Sequence, residues 1–178
     1  MDVYEPAEDT FLLYEAIQNE VKGKVESALD MGTGSGFLAK LLLKKAGKVT
    51  AVDKDPEAIR YARKSLKKAE LIESDLFRNV KGKYDLITFN PPYLPQDSWR
   101  FGKEDHTIGG KEGYETVVRF IKQLRKHLKK GGICLLLISS LTKPRKVEEY
   151  ISEAGLSFRV VSRKRLFFET LYVYRIQA

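Results

Sequence analysis

The chain has 178 residues, 43% of them hydrophobic, which suits one globular domain spanning 1–178 and argues against disorder. A single cysteine, Cys134, excludes a disulfide framework, and apolar runs of at most six residues fall far short of the roughly 20 needed to cross a bilayer. The net charge of +8 is uneven: residues 117–178 carry 14 Lys/Arg against 4 Asp/Glu, while residues 1–116 are near balance. A basic end of this kind points to an anionic partner, either nucleic acid or something sitting on it, with solvated lysine-rich helices as the plain alternative. No basic-then-apolar leader opens the chain, so a cytoplasmic protein without membrane attachment is expected.

Strand-like and helix-like segments alternate. An acidic opening, Glu5-Pro6-Ala7-Glu8-Asp9-Thr10, leads into a helix carrying Phe11, Leu12, Leu13 and Ile17. Val25–Met31 reads as a buried strand, Phe37–Ala46 as a helix with Leu38, Leu41 and Leu42 on one face, and Val49–Asp53 as a second strand. Asp55 is the expected N-cap of a helix from Pro56 to about Lys68, with proline at the first helical position where its missing N–H costs nothing. Glu70–Glu73 and Tyr84–Phe89 are strands, followed by a long irregular stretch, Asn90–Gly113, of a length that in a compact domain is usually functional. A helix over Tyr114–Lys130 is expected to stop at Gly131-Gly132, before a strand Ile133–Ser139 and a helix Lys143–Ala154. Ser157–Ile176 holds two strands with no room for a helix between them, so they pair antiparallel. The predicted fold is α/β: a doubly wound, Rossmann-like, seven-stranded and mostly parallel sheet with one antiparallel strand near the C-terminus.

The first strand runs through Asp30-Met31-Gly32-Thr33-Gly34-Ser35-Gly36 directly into a helix. In doubly wound sheets a ligand sits at that junction, and glycines let the backbone approach it closely. Asp53 ends the second strand, 23 residues after Asp30, where a carboxylate can accept both hydroxyls of a ribose. Asp75 follows the third strand in Ser74-Asp75-Leu76-Phe77, placed to accept from an adenine amine. Ordinary turn glycines and solvated acids explain any one of these features, but three in order at consecutive strand ends describe a nucleoside site. The spacing is G-x-G-x-G rather than G-x-G-x-x-G, and no basic residue stands ready for a pyrophosphate. S-adenosylmethionine is therefore expected in preference to NAD.

The fourth strand ends in Asn90-Pro91-Pro92-Tyr93. Two prolines cannot continue a ladder or start a normal helical turn, so they hold the chain stiff beyond the carboxyl edge of the sheet. The Asn90 side-chain oxygen and the Pro91 carbonyl are two acceptors able to grip both hydrogens of a planar NH2 group, as in an amide or adenine. Charge developing on that nitrogen during attack is stabilised by the same oxygens, and Tyr93 can stack on the flat group. No Ser-His-Asp or metal reading competes. His106 sits in the long loop as a polar residue, and His127 is expected to favour the dipole at a helix C-terminus.

Asp-x-Gly-x-Gly-x-Gly with Asn-Pro-Pro-Tyr resembles class I methyltransferases that act on planar amino groups. The opening Val3-Tyr4-Glu5-Pro6-Ala7-Glu8-Asp9-Thr10-Phe11-Leu12-Leu13, together with Gly109-Gly110-Lys111-x-Gly113, is similar to the archaeal and eukaryotic branch of the HemK/PrmC glutamine methyltransferases. That resemblance covers nearly the whole chain. It implies methylation of the glutamine in the Gly-Gly-Gln motif of class I translation termination factors. It also implies that Thr10 contacts the methionine part of S-adenosylmethionine, with Asp30, Gly32, Gly34 and Gly36 forming its pocket. Asp53 then holds the ribose, Asp75 and Leu76 the adenine, and Asn90 both cofactor and substrate amide, with Pro91, Pro92 and Tyr93 completing the catalytic and substrate contacts. Bacterial relatives carry an extra N-terminal docking domain, whereas little precedes Tyr4 here, so target recognition without it is expected.

Relatives in this branch work with a small zinc-binding activator protein, which the resemblance implies as a partner. The short strand near Leu71 and Ile72 is expected at a sheet edge, where it can accept a strand by augmentation; an edge kept safe by shortness and flanking charge is the alternative. Three other functions stay open: a nucleic-acid methyltransferase acting on the adenine exocyclic amine, a lysine methyltransferase, and an inactive cofactor-binding subunit. The first lacks a separate target-recognition domain and direct nucleic-acid binding stays open; the second must place a cationic amine between neutral acceptors; the third is at odds with an intact reaction centre.

Overall fold

The computed structural model describes residues 6–96 and 108–178. In chain order the elements are α1 (Glu8–Glu20), β1 (Val25–Met31), α2 (Phe37–Lys45), β2 (Ala46–Asp53), α3 (Pro56–Ser65), β3 (Glu70–Glu73) and β4 (Tyr84–Phe89). Next come β5 (Leu94–Pro95), β6 (Ile108–Gly110), α4 (Glu115–His127), β7 (Leu128–Ser139), α5 (Pro144–Glu153), β8 (Ser157–Arg165) and β9 (Thr170–Gln177). Seven strands form one sheet in the order β3-β2-β1-β4-β7-β9-β8, parallel except for β9, which runs against both its neighbours. The expected fold is therefore the observed one.

The apolar runs are continuous because both faces of the sheet are covered. Along β7, Cys134, Leu136 and Ile138 point into one core with Phe120, Ile121 and Leu124 of α4 and Val147 and Ile151 of α5. Ile133, Leu135 and Leu137 point into the other, with Leu13 and Ile17 of α1 and Leu38 and Leu42 of α2. Cys134 is fully buried, as its apolar surroundings in the sequence imply. Asp55 caps α3 as expected, its carboxylate accepting from the Glu57 N–H at 2.8 Å ahead of Pro56. No helix among the described residues is long and apolar enough to cross a membrane.

Several elements differ from expectation, β2 among them, which begins at Ala46 directly after α2 instead of at Val49. Helix α3 ends at Ser65, because Leu66 leaves helical geometry and turns its side chain into a small core with Ala39, Ala51 and Ala62. Helix α4 stops at His127 and β7 starts at Leu128, ahead of the two glycines. Leu128 pairs with Tyr84 and Ile133 with Leu86, so the glycines belong to a bulge within the strand rather than to a helix stop. The stretch after Asn90 is not wholly irregular, since Leu94–Pro95 pairs with Ile108–Gly110 in a small second sheet.

Register is what positions the site. Met31 sits level with Val52 of β2 and with Phe89 of β4, so the three parallel strands end side by side. Between β1 and β4 the strand order reverses, the switch point at which open α/β sheets bind ligands.

Candidate functional site

A cavity of about 540 Å³ opens at these strand ends, within the size range of small-molecule sites. Its floor is the loop after β1. Gly32, Gly34 and Gly36 have φ of 66°, 51° and 79°, a left-handed backbone that side chains strain to adopt. A Cβ at Gly34 would enter open space, whereas one at Gly36 would lie 2.9 Å from Leu66, just past the end of α3. The Thr33 N–H donates to the Val52 carbonyl, pinning the loop to β2. Gly32, Thr33 and Gly34 line the cavity; Gly36 does not, and its glycine is required by helix packing instead.

Asp30 also lies outside the cavity wall. It is buried beneath the loop, where Thr33 Oγ1 and Thr88 Oγ1 each donate to one of its carboxylate oxygens at 2.8 Å. It thus holds the loop from behind and does not line the cavity. Burial pushes its carboxyl from its ordinary 3.8 up to about 6, against the opposing pull of the two threonine hydroxyls.

Asp53 faces the cavity from the end of β2. One carboxylate oxygen accepts from Gly34 N–H at 2.8 Å and the other from Asp55 N–H at 3.0 Å. Each oxygen keeps a second lone pair, which gives the two acceptors that the O–H donors of a vicinal diol need. Asp75 is held by Arg119, whose Nη2 donates to Oδ2 at 2.5 Å, and both side chains line the cavity. Beside it Leu76 has φ of 51°, held there by Ser74, whose hydroxyl donates to the Leu76 carbonyl and accepts from Asn79 N–H. A leucine in this conformation is strained, and such strain collects at ligand sites.

Asn90 stands at the end of β4 with its Nδ2 donating to Thr10 Oγ1 of α1 at 3.3 Å. Its Oδ1 is buried and without a hydrogen-bond partner among the described residues. A buried unpaired acceptor costs about 1–3 kcal/mol, which a donor entering the cavity relieves. Pro91, Pro92 and Tyr93 line the same cavity. The glycine motif packs on their backbone: a Cβ at Gly109 would lie 2.5 Å from the Pro92 carbonyl oxygen, and one at Gly113 2.7 Å from that of Tyr93. Burial, with the neighbouring Asp9 and Glu169 carboxylates, raises the Tyr93 phenol well above its usual value, so it stays neutral.

The cavity thus gathers Thr10, Gly32, Gly34, Asp53, Asp75, Leu76, Asn90, Pro91, Pro92 and Tyr93, and leaves Asp30 and Gly36 behind its wall. It also recruits Arg119 from α4 and Leu166, Glu169 and Leu171 from the β8–β9 hairpin, which the motifs did not reveal. Only the acid Asp75 gave a hint of Arg119; for the hairpin residues the sequence carries no local signal. Asp9 lines the cavity and is buried, accepting from Thr10 N–H at 2.6 Å, so it is more than a dipole-favoured surface acid. His127 stacks on Phe77 with ring centroids 4.2 Å apart, and burial lowers its pKa. It sits in the last turn of α4, the helix end at which the sequence places it, and its Nδ1 lies 3.0 Å from the Gly82 carbonyl oxygen. His106 lies outside the described residues.

Comparison with known proteins decides the family. The methyltransferase small domain model matches residues 7–168. The chain belongs to the methyltransferase small domain family. It is 39% identical to a candidate protein N5-glutamine methyltransferase of Methanocaldococcus jannaschii, across 97% of this chain and 90% of that one. It is 31% identical to the human methyltransferase HEMK2, across 98% and 89% of the two chains. In structure it superposes on a chain of the E. cuniculi Mtq2–Trm112 complex, responsible for methylation of the eRF1 translation termination factor. The TM-score is 0.82, with 28% identity and 99% of both chains covered.

The raised pKa of Asp30 gives a pH signature for this methyltransferase. An acid whose folded pKa exceeds its unfolded value penalises the folded state once ionised. The penalty is absent below about pH 4, grows up to about pH 6 and is complete above it, on the order of 3 kcal/mol. Asp30→Asn removes the charge, so in chemical denaturation the variant gains on the natural chain by about 1–3 kcal/mol between pH 4 and pH 7.5. A stability difference independent of pH contradicts the ionisable, buried role.

Proposed function

We propose that this chain is an S-adenosylmethionine-dependent protein methyltransferase that methylates the side-chain amide nitrogen of the glutamine in a class I translation termination factor. The observation that carries the reading is the buried, unpartnered Oδ1 of Asn90 at the cavity's end, in a chain whose relatives include a candidate glutamine methyltransferase. The cavity suits the cofactor on its own chemistry: paired lone pairs on Asp53 for a ribose, a strained Leu76 turn beside Asp75 for an adenine, and open space over Gly34. S-adenosylmethionine, when bound, supplies an electrophilic methyl group carried on a sulfonium.

The work of the chain's own residues then follows. An amide nitrogen is a poor nucleophile because its lone pair is delocalised into the carbonyl. Asn90 Oδ1 accepts one N–H of the incoming amide and the Pro91 carbonyl the other, fixing the nitrogen's direction of attack. Thr10 accepts from Asn90 Nδ2 and thereby keeps the oxygen, not the NH2, turned towards the substrate. Positive charge that grows on the nitrogen is stabilised by these preset acceptors without reorganisation, and the methylated nitrogen then releases one N–H proton to solvent, leaving a neutral secondary amide. Tyr93, neutral and half-buried, offers an apolar face to the flat amide.

A second reading, lysine methylation, draws on the carboxylates of Asp9 and Glu169 beside Tyr93, which attract a cationic side chain. It requires the amine to lose a proton before attack, and Asn90 supplies no base for that.

The activator belongs to the same proposal. Strand β3 is the terminal strand of the sheet, and Leu71 and Ile72 on it are half-buried, so its outer edge suits an added strand from a small zinc-binding partner. The E. cuniculi neighbour is itself part of an assembly with Trm112.

Methyl transfer from labelled S-adenosylmethionine, with and without activator, tests the substrate. Label is expected on the termination factor but not on its Gly-Gly-Ala variant, nor on adenine-bearing DNA or RNA; label on a Gly-Gly-Lys variant in preference to the natural factor supports lysine instead. Label on nucleic acid with the factor untouched overturns the proposal. For the activator, replacing both Leu71 and Ile72 with Lys is expected to abolish co-purification; both side chains also pack against the cores, so the comparison is made at a temperature where circular dichroism shows the variant folded, and persistence of the complex excludes that edge.

A further inference from the structure

The tip of the β8–β9 hairpin carries a feature that neither the cofactor cradle nor the Asn90 centre uses. Phe167 and Phe168 are 92% and 86% exposed, while no other large exposed hydrophobic among the described residues exceeds 48%. They form the loop itself: Leu166 N–H donates to the Glu169 carbonyl at 2.8 Å, and Arg165 pairs with Thr170 just below. Two-residue hairpin loops favour Gly, Asn and Asp, so turn chemistry does not account for two phenylalanines there. They bury nothing in the core either. Their rings rest edge to face on each other, centroids 4.6 Å apart, as one apolar knob.

The knob's position is informative. Leu166 and Glu169, its immediate neighbours on both sides, line the cavity that contains Asn90. An apolar knob is thus built into the cavity's rim, and contiguous exposed apolar surface of this kind marks binding. The occupant follows from charge. The rim beside the knob carries the carboxylates of Glu8, which pairs with Lys164, and Glu169, which accepts from Ser139, and carboxylates in that wall disfavour a phosphate backbone. Further from the cavity, Arg163 and Arg165 lie two residues apart on one face of the outermost strand, and neither forms an ion pair among the described residues. An apolar protein surface with an acidic margin fits both.

We propose that Phe167 and Phe168 are the docking anchor for the substrate protein, inserting into an apolar depression next to its glutamine loop while Arg163 and Arg165 meet an acidic margin. The inference rests on the protein-substrate reading given above and adds to it how the target is held outside the cavity.

The test is steady-state methylation by the full chain with its activator, comparing the natural sequence with Phe167→Ser/Phe168→Ser. Both positions are exposed and outside the cavity, so melting temperature and S-adenosylmethionine affinity are expected to change less than about twofold in binding terms and not measurably in stability. The KM for the intact termination factor is expected to rise about tenfold or more with kcat nearly unchanged, the scale for losing a buried aromatic anchor. Direct binding of the factor, followed by anisotropy, weakens in step. A short Gly-Gly-Gln peptide, which lacks the apolar depression the knob would enter, is expected to be methylated equally by both.

An unchanged KM and unchanged factor binding overturn the anchor while leaving glutamine methylation standing. So does a variant that loses single-stranded RNA binding, or dissolves a dimer of this chain, with factor kinetics unmoved. Absence of transfer to the factor by the natural sequence overturns the anchor together with the reading beneath it.

Discussion

The carboxylate of Asp30 is the joint on which the site is built. One oxygen accepts from Thr33 in the glycine loop and the other from Thr88, two residues before Asn90. The glycine-loop floor of the cavity and the strand end that carries Asn90 are therefore fastened to a single buried group. Sub-ångström placement matters for group transfer, and a shared anchor between neighbouring parallel strands supplies it more rigidly than two separate loops would. The cost is a carboxyl buried where its ionised form is disfavoured.

Above this joint the site divides its labour by chemistry. Asp53 is held by two backbone N–H groups and keeps lone pairs for hydroxyls, whereas Asn90 is held through its NH2 end and keeps its oxygen. The prolines after Asn90 remove backbone freedom, and Gly109 and Gly113 let a second segment pack directly on the Pro92 and Tyr93 carbonyls. A stiff acceptor with no partner of its own is poor economy for folding but well suited to a planar NH2 group, since the acceptor is already in place when charge develops.

Much of this was legible in the sequence because it is local. The strands Val25–Met31, Glu70–Glu73 and Tyr84–Phe89 have the observed bounds, being short segments with apolar residues between polar and turn-forming stretches. The Asp55-Pro56 start of α3 was readable from capping chemistry. Less legible were features set by tertiary contact. Gly131-Gly132 looked like a helix stop, but pairing of Leu128 with Tyr84 drew the strand forward and made the glycines a bulge. Asp30 and Gly36 belong to the motif yet act from behind it, one as a buried tether and the other as a packing site for Leu66, and a motif cannot separate touching from supporting. Arg119 and the β8–β9 hairpin come from distant segments, and only the fold brings them to the cavity.

The central claim is that the Asn90 side-chain oxygen grips the substrate nitrogen. Asn90→Ala, examined by single-turnover methyl transfer to the termination factor alongside calorimetric binding of S-adenosylmethionine, tests it most directly. Transfer is expected to slow by about 100-fold or more, the scale for losing one preorganised polar contact, while cofactor affinity stays largely intact. Transfer at the natural rate contradicts the account, because the orphaned oxygen would then have no part in the reaction.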